Sequence, residues 1–169
     1  MRRLTILLAV LLSACSTFSS NVCTGPDLSG CDLRGVDFSG DRLDGRNLAR
    51  ADLRGANLSD ASLVGANLAE ARLDDANLQN ANLSGANLTK VRAYQANLSN
   101  ANLSEANLQQ AFMWRANLQG ANLTNANLGL AEFNRANLEG VTLTGAQLAL
   151  VDFSETVLEE SEFDPDRGK

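Results

Sequence analysis

The sequence predicts an all-β fold, a solenoid whose backbone winds into square coils. The prediction rests on three regularities, two with a period of five residues and one with a period of 20. A mostly bulky apolar residue recurs every five positions from Leu28 to Phe163, 28 times without insertion or deletion. Leucine fills 22 of these central positions. Two residues earlier, alanine occupies 17 of the 18 positions from Ala51 to Ala136. The unit is therefore Ala-Asn-Leu-X-X.

A period of five excludes the regular alternatives, because an α-helix repeats every 3.6 residues and a flat strand every two. Within one unit the alanine and the central residue are two positions apart, so both point inward from extended backbone and the asparagine points outward. The last two residues are left to make a turn. We therefore expect the chain to bend after each unit and to stack its central residues into one dry column.

The number of units in a coil follows from the exceptions to the repeat. Between Asn47 and Asn137 the asparagine position holds another residue six times, and five of these lie on one lattice of 20 residues. They are Asp52, Arg72, Arg92, Phe112 and Glu132. The internal exceptions to leucine, Ala93, Met113 and Phe133, lie on the matching lattice one residue later. Four units make one coil, and residues 26–165 are predicted to form seven coils.

These repeats resemble the pentapeptide-repeat family over nearly all of the chain after the first 25 residues. The resemblance implies a right-handed quadrilateral β-helix. The outward asparagines are predicted to be structural, because those in register resemble the amide ladders of stacked strands. The predicted columns are Asn67, Asn87, Asn107 and Asn127, and Asn57, Asn77, Asn97, Asn117 and Asn137.

Residues 1–14 predict a secretory signal peptide, with Arg2 and Arg3 before an apolar stretch over residues 4–12. This nine-residue stretch is too short to cross a bilayer, which needs about 20 apolar residues as a helix.

The residues Leu-Ser-Ala-Cys at 12–15 resemble the bacterial lipobox, in which the cysteine is diacylated and the chain is cut before it. If Cys15 is lipidated, the protein binds the membrane through its N-terminal lipid. Residues 15–25 are then the tether and the N-terminal cap. An ordinary signal peptide with an unmodified Cys15 is the alternative. By resemblance to enterobacterial lipoproteins, Ser16 favours the outer membrane.

Two more cysteines follow: Cys23 precedes the first predicted coil, and Cys31 lies within it. In an oxidising compartment they are predicted to form a disulfide that clips this coil, and two reduced, partly buried thiols are the alternative.

The composition speaks against catalysis and against nucleic-acid binding. The chain has no histidine, and without Arg2 and Arg3 it carries 12 basic and 20 acidic residues, a formal charge of −8. Asp27, Asp32 and Asp37 look like a metal-binding run, but five-residue spacing sends them to three different faces. No catalytic residue, metal or cofactor is predicted, and residues 166–169 are expected to be a short tail.

One face departs from the repeat and is the candidate interaction face. Its residues are Arg72, Arg92, Tyr94, Phe112, Trp114, Arg115 and Arg135. Tyr94 and Trp114, the only tyrosine and tryptophan, are expected to be outward neighbours on successive coils. Exposed aromatic rings with arginine are typical of binding hot spots and also stack on sugar rings. Cross-coil packing that stabilises the sheet is the alternative interpretation.

The sequence therefore predicts a membrane-anchored structural or interaction scaffold in the cell envelope, with an unidentified envelope protein or glycan as its partner. The alternative, implied by the family, is a DNA mimic that binds or inhibits DNA gyrase. Against it stand the export signal, the absence of room for a dimerising C-terminal helix, and the single acidic residue, Glu105, between Ala76 and Ala131. Acidic residues and Pro165 near the C-terminus predict a monomer or weak dimer.

Overall fold

The computed structural model describes residues 27–158, which wind into between six and seven coils. Every β-bridge is parallel and joins a residue to the one 20 positions later, from Asp27 with Asn47 to Asn137 with Val157. This confirms the predicted coil of four units. The extended stretches are single-residue bridges separated by two-residue turns, and no helix in residues 27–158 is long and apolar enough to cross a membrane. The predicted signal peptide, lipid site, tether and tail lie outside the described residues.

The core is the predicted column of central residues. Each central residue from Leu28 to Leu138 is at most 3% exposed, and each residue two positions earlier from Ala51 to Ala136 is at most 1% exposed. Burial of one leucine contributes roughly 1.5–3 kcal/mol, so this column is the main source of stability. Ala93 is the smallest central residue, and Val91 replaces alanine in the same unit, so the two exceptions offset each other in volume.

Backbone hydrogen bonds attach each coil to both neighbours. The amide of Leu88 donates to the carbonyl of Asn107 at 2.7 Å in the following coil, and the amide of Asn87 donates to the carbonyl of Ala66 at 2.9 Å in the preceding one. Because this pattern recurs along the rod, a coil cannot shift without breaking bonds on both sides.

The corners adopt a backbone conformation that the sequence interpretation did not predict. All 26 residues that close a unit, from Gly30 to Glu155, have a positive φ between 54° and 71°. Ten are glycine and sixteen are not, and none is β-branched. Left-handed backbone disfavours residues with a Cβ, and most of all β-branched ones. The signal that could have revealed these corners is that ten of the 13 glycines of the chain stand there.

Amide ladders run between the coils over part of the predicted columns. Among the described residues no ladder bond joins Asn87, Asn107 and Asn127, or Asn117 and Asn137. The Nδ2 atom of Asn67 donates to Oδ1 of Asn47 at 3.0 Å, and Asn87 donates likewise to Asn67 at 3.1 Å. A second ladder joins residues 57, 77, 97 and 117, and a third, not predicted, joins residues 82, 102 and 122.

The asparagines also cap the backbone within their own unit. The Oδ1 atom of Asn87 accepts from the amide of Thr89 at 3.2 Å, two residues later, and most asparagines of the repeat do the same. A unit without asparagine must therefore find another acceptor for that amide, or leave the amide unpaired.

Candidate interaction groove

A groove of about 420 Å³ lies on one face of the rod, between the column that breaks the asparagine rule and the column two residues later in each unit. It lies within the range of ligand-binding pockets. Its walls are formed by Asp74, Arg92, Tyr94, Phe112, Trp114 and Glu132. The bridges place Arg92, Phe112 and Glu132 in one column, since each pairs with the residue 20 positions later.

Three aromatic side chains form the apolar part of the groove. Tyr94 is 38% exposed, Phe112 43% and Trp114 48%. The indole Nε1 of Trp114 donates to Oε2 of Glu132 at 2.8 Å, and the hydroxyl of Tyr94 accepts from Nη1 of Arg115 at 3.3 Å. The two rings are thus held by different partners.

Aromatic stacking between coils is found elsewhere. Within residues 27–158 the one stacked ring pair is Phe133 and Phe153, whose centroids are 5.7 Å apart in the core. Tyr94 and Trp114 lie on successive coils, as predicted, but they do not stack on each other.

The groove contains a backbone donor without a partner. Phe112 stands where asparagine would accept from the amide of Trp114, and in the described part of the chain that amide makes no hydrogen bond. In the preceding coil the amide of Tyr94 has a substitute acceptor, because Oδ1 of Asp74 reaches it at 3.2 Å. The amide of Trp114, which asparagine covers in other units, therefore has no hydrogen-bond partner among residues 27–158.

Two arginines, Arg92 in the groove and Arg115 beside it, form no ion pair among the described residues. Among the described residues the guanidinium of Arg92 makes no hydrogen bond or ion pair. Arg115 bonds the neutral hydroxyl of Tyr94. The groove also includes Asp74 and Glu132, which belong to the same columns but were left out of the predicted interaction face.

Besides Arg115, which contacts the groove only through Tyr94, two more residues of that predicted face do not line the groove. Arg72 lies 3.7 Å from Asp74 and 3.9 Å from Asp52, and Arg135 forms a 2.7 Å ion pair with Glu155. The sequence places these arginines in the right columns, but their charges are occupied by neighbouring carboxylates.

Toward the N-terminus the same face carries ion pairs. Arg34 contacts Asp32 at 2.6 Å, and Arg54 contacts Asp52 at 2.6 Å. The predicted separation of Asp27, Asp32 and Asp37 is also found, since each bridges a different column. No cluster of three or more metal-ligating side chains occurs among residues 27–158.

The hydrogen bonds from Arg54, aided by its charge and that of Arg72, hold the pKa of Asp52 below its usual value although partial burial opposes this. A carboxyl with a lowered folded pKa contributes stability that is complete above its unfolded pKa of about 3.9 and is lost as the pH falls through the folded value. We expect the unfolding free energy to fall as the pH drops from about 5 toward 2.

Arg54→Gln is expected to remove about 1 kcal/mol or less at pH 7 and to flatten the acid limb of this curve. Urea unfolding at a series of pH values measures both effects. Equal pH dependence in the two proteins would show that the pair contributes nothing measurable.

Cys31 is buried, 3% exposed, and is disulfide-bonded. Its predicted partner, Cys23, lies outside the described residues, so that pairing stays a prediction.

Comparison with known proteins places the repeat in a family. The model described as pentapeptide repeats matches residues 42–73, 51–89 and 66–104, and the model described as pentapeptide repeat region matches residues 86–163. No curated protein matches the sequence.

Solved structures agree with this. A pentapeptide repeat protein from the Arabidopsis thaliana thylakoid lumen is 32% identical, with 67% of this chain and 72% of that one covered and a TM-score of 0.48. Rfr23, a pentapeptide repeat protein from the cyanobacterium Cyanothece 51142, is 27% identical, covering 82% and 92%, with a TM-score of 0.45. QnrB1, a plasmid-mediated fluoroquinolone resistance protein, shares the fold at 23% identity, covering 80% and 69%, with a TM-score of 0.51. The chain belongs to the pentapeptide-repeat family and has its right-handed quadrilateral β-helix.

Proposed function

We propose that this protein is an exported, lipid-anchored scaffold of the cell envelope that holds a partner in the groove around Trp114. The observation that carries the proposal is the groove itself, where three aromatic side chains are exposed and one of them, Phe112, replaces an asparagine that covers the backbone elsewhere on the rod. Large aromatic side chains are costly to leave in water, and together with arginine they dominate binding energy at interfaces.

The scaffold role agrees with the family. Pentapeptide-repeat proteins are mostly structural or interaction proteins, and no catalytic family matches this chain. Export and lipidation at Cys15 are supported by the charged, apolar and small residues of the first 15 positions. The rod then presents its groove at a distance from the membrane, with Cys15 as the anchor.

DNA mimicry is the less favoured function. A DNA mimic needs acidic side chains along the rod, yet between Ala76 and Ala131 the only acidic residue is Glu105. The same stretch of sequence contains the cations Lys90, Arg92 and Arg115. The similarity to QnrB1 is one of fold and does not carry its role to this chain.

Replacement of the acceptor cysteine tests the anchor. We expect Cys15→Ser to abolish incorporation of labelled fatty acid and to move the protein from the membrane fraction to the soluble fraction. Cys23→Ser is the matched control and should remain membrane-bound. Membrane retention of Cys15→Ser without fatty-acid label would contradict lipid anchoring at this residue.

The groove is tested by crosslinking the protein in cell envelopes and comparing its partners with those of a Tyr94→Ala, Trp114→Ala double variant. Specific partners should be lost from the variant. Gln109→Ala, an exposed position on another face, is the control for surface changes in general. Identical partner sets for all three proteins would show that the groove is not the working surface.

A further inference from the structure

We propose that the groove binds an acidic, N-acetylated oligosaccharide. This inference rests on the proposed function and names the chemistry of the partner that the groove holds. Three features of the groove carry it: the free aromatic ring faces, the open amide of Trp114, and the unpaired charge of Arg92.

The aromatic rings provide the platform. Because Tyr94 and Trp114 bond different neighbours and do not stack on each other, both rings remain partly exposed in the groove. A sugar ring presents an apolar C–H face that packs flat on such a ring, and this burial of apolar surface is favourable. The coils are about 4.8 Å apart, comparable with the length of one sugar ring in an extended chain. Successive sugars can therefore meet Tyr94 and Trp114 in turn.

The open amide of Trp114 calls for a carbonyl acceptor beside an apolar group. An acetamido substituent supplies both, because its oxygen accepts from the amide while its methyl group packs against Phe112. Satisfying this amide removes the cost of covering an unpaired donor when a ligand excludes water from the groove.

The charges select an acidic ligand. Arg92 is exposed and without an acidic partner, and its guanidinium matches a carboxylate in two parallel hydrogen bonds. Arg115 adds a second positive charge beside Tyr94.

The two carboxylates of the groove indicate a sugar over a peptide. Asp74 and Glu132 are three coils apart along the rod, and each retains a carboxylate oxygen that can accept a further hydrogen bond. Ring hydroxyls supply donors on every residue of a glycan, at both ends of the groove. A peptide has fewer side-chain donors at that spacing, and its binding is the competing outcome of the test.

The only tryptophan of the chain, Trp114, reports binding directly through its fluorescence. Full-length protein in detergent micelles is titrated with three probes: the disaccharide N-acetylglucosaminyl-N-acetylmuramic acid, the neutral disaccharide N,N′-diacetylchitobiose (called chitobiose below), and an acidic hexapeptide of alternating Glu and Phe. We expect saturable binding of the acidic disaccharide, with chitobiose at least about tenfold weaker and no stronger binding of the peptide.

Two variants separate recognition from folding. Arg92→Gln should weaken binding of the acidic disaccharide about tenfold and leave chitobiose binding unchanged. Phe112→Asn restores the asparagine cap, so we expect it to fold at least as well as the wild type and to lose disaccharide binding, because the amide of Trp114 is then occupied. Gln109→Ala should bind like the wild type.

The outcomes distinguish this inference from the proposed function. Tighter binding of the peptide than of the acidic disaccharide overturns the glycan proposal. Absence of a response to either sugar also overturns it, and if the envelope crosslinks still depend on Tyr94 and Trp114, the interaction scaffold stands with a protein partner. If those crosslinks are also unchanged, both proposals are wrong. If Phe112→Asn binds the acidic disaccharide as tightly as the wild type does, the amide of Trp114 does not contribute to binding.

Discussion

Leu118→Ala is expected to lower the free energy of unfolding by about 3–5 kcal/mol, in the upper part of the range for buried leucines. Leu118 is fully buried in the central column, and its amide is bonded to the following coil at Asn137. Because each coil is attached to both neighbours, the backbone cannot collapse into the space that the leucine leaves. The cavity therefore remains and adds to the lost burial. Urea unfolding followed by far-ultraviolet circular dichroism measures the change.

Leu150→Ala is the matched control for the same truncation on the surface. Leu150 is 81% exposed at a corner of the C-terminal part of the rod, so its loss should cost less than about 0.5 kcal/mol. A similar loss for both variants would contradict the view that the central column holds the rod together.

Gly85→Val is expected to lower stability by at least about 2 kcal/mol, or the melting temperature by roughly 4–8 °C. Gly85 has a φ of +64°, and a Cβ added there would meet no atom within 4 Å. The cost is therefore backbone strain without a steric clash, and it is largest for a β-branched side chain.

Gly85→Asn isolates that strain, because asparagine tolerates left-handed backbone and occupies the equivalent corners at Asn80 and Asn100. We expect Gly85→Asn to cost less than half as much as Gly85→Val, measured by thermal unfolding. Equal melting temperatures of the two variants would mean that the left-handed backbone at the corners does little to limit which residues can occupy them.

The coil was predictable from this sequence because its exceptions are themselves periodic. Arg72, Arg92 and Phe112 depart from asparagine on one lattice of 20 residues, and the bridges between them show the same spacing. The left-handed corners were harder to predict, since most are occupied by residues such as Gln95 or Leu130, whose own preferences indicate ordinary backbone. Tertiary hydrogen bonds impose the conformation there.

The candidate groove could also be predicted only in part from the sequence. Side-chain columns follow from the repeat, so the sequence places Tyr94 and Trp114 on one face correctly. Charge pairing follows from it only in part. Arg135 pairs with Glu155, which is 20 residues later in the same column, whereas Arg72 pairs with Asp74 in a neighbouring column. Arg92 forms no ion pair among the described residues, and the rotamers of such long exposed side chains are not set by the repeat.

The constant spacing of 20 residues between bridged positions makes the length of this protein adjustable in whole steps. Removing one complete coil from the region between Asn47 and Asn67, which contains none of the groove residues, would preserve every column and shorten the rod by about 4.8 Å. Removing a single residue there would turn every later side chain out of register. Gain or loss of whole coils is therefore a way to change the height of Trp114 above the first coil without altering what surrounds it.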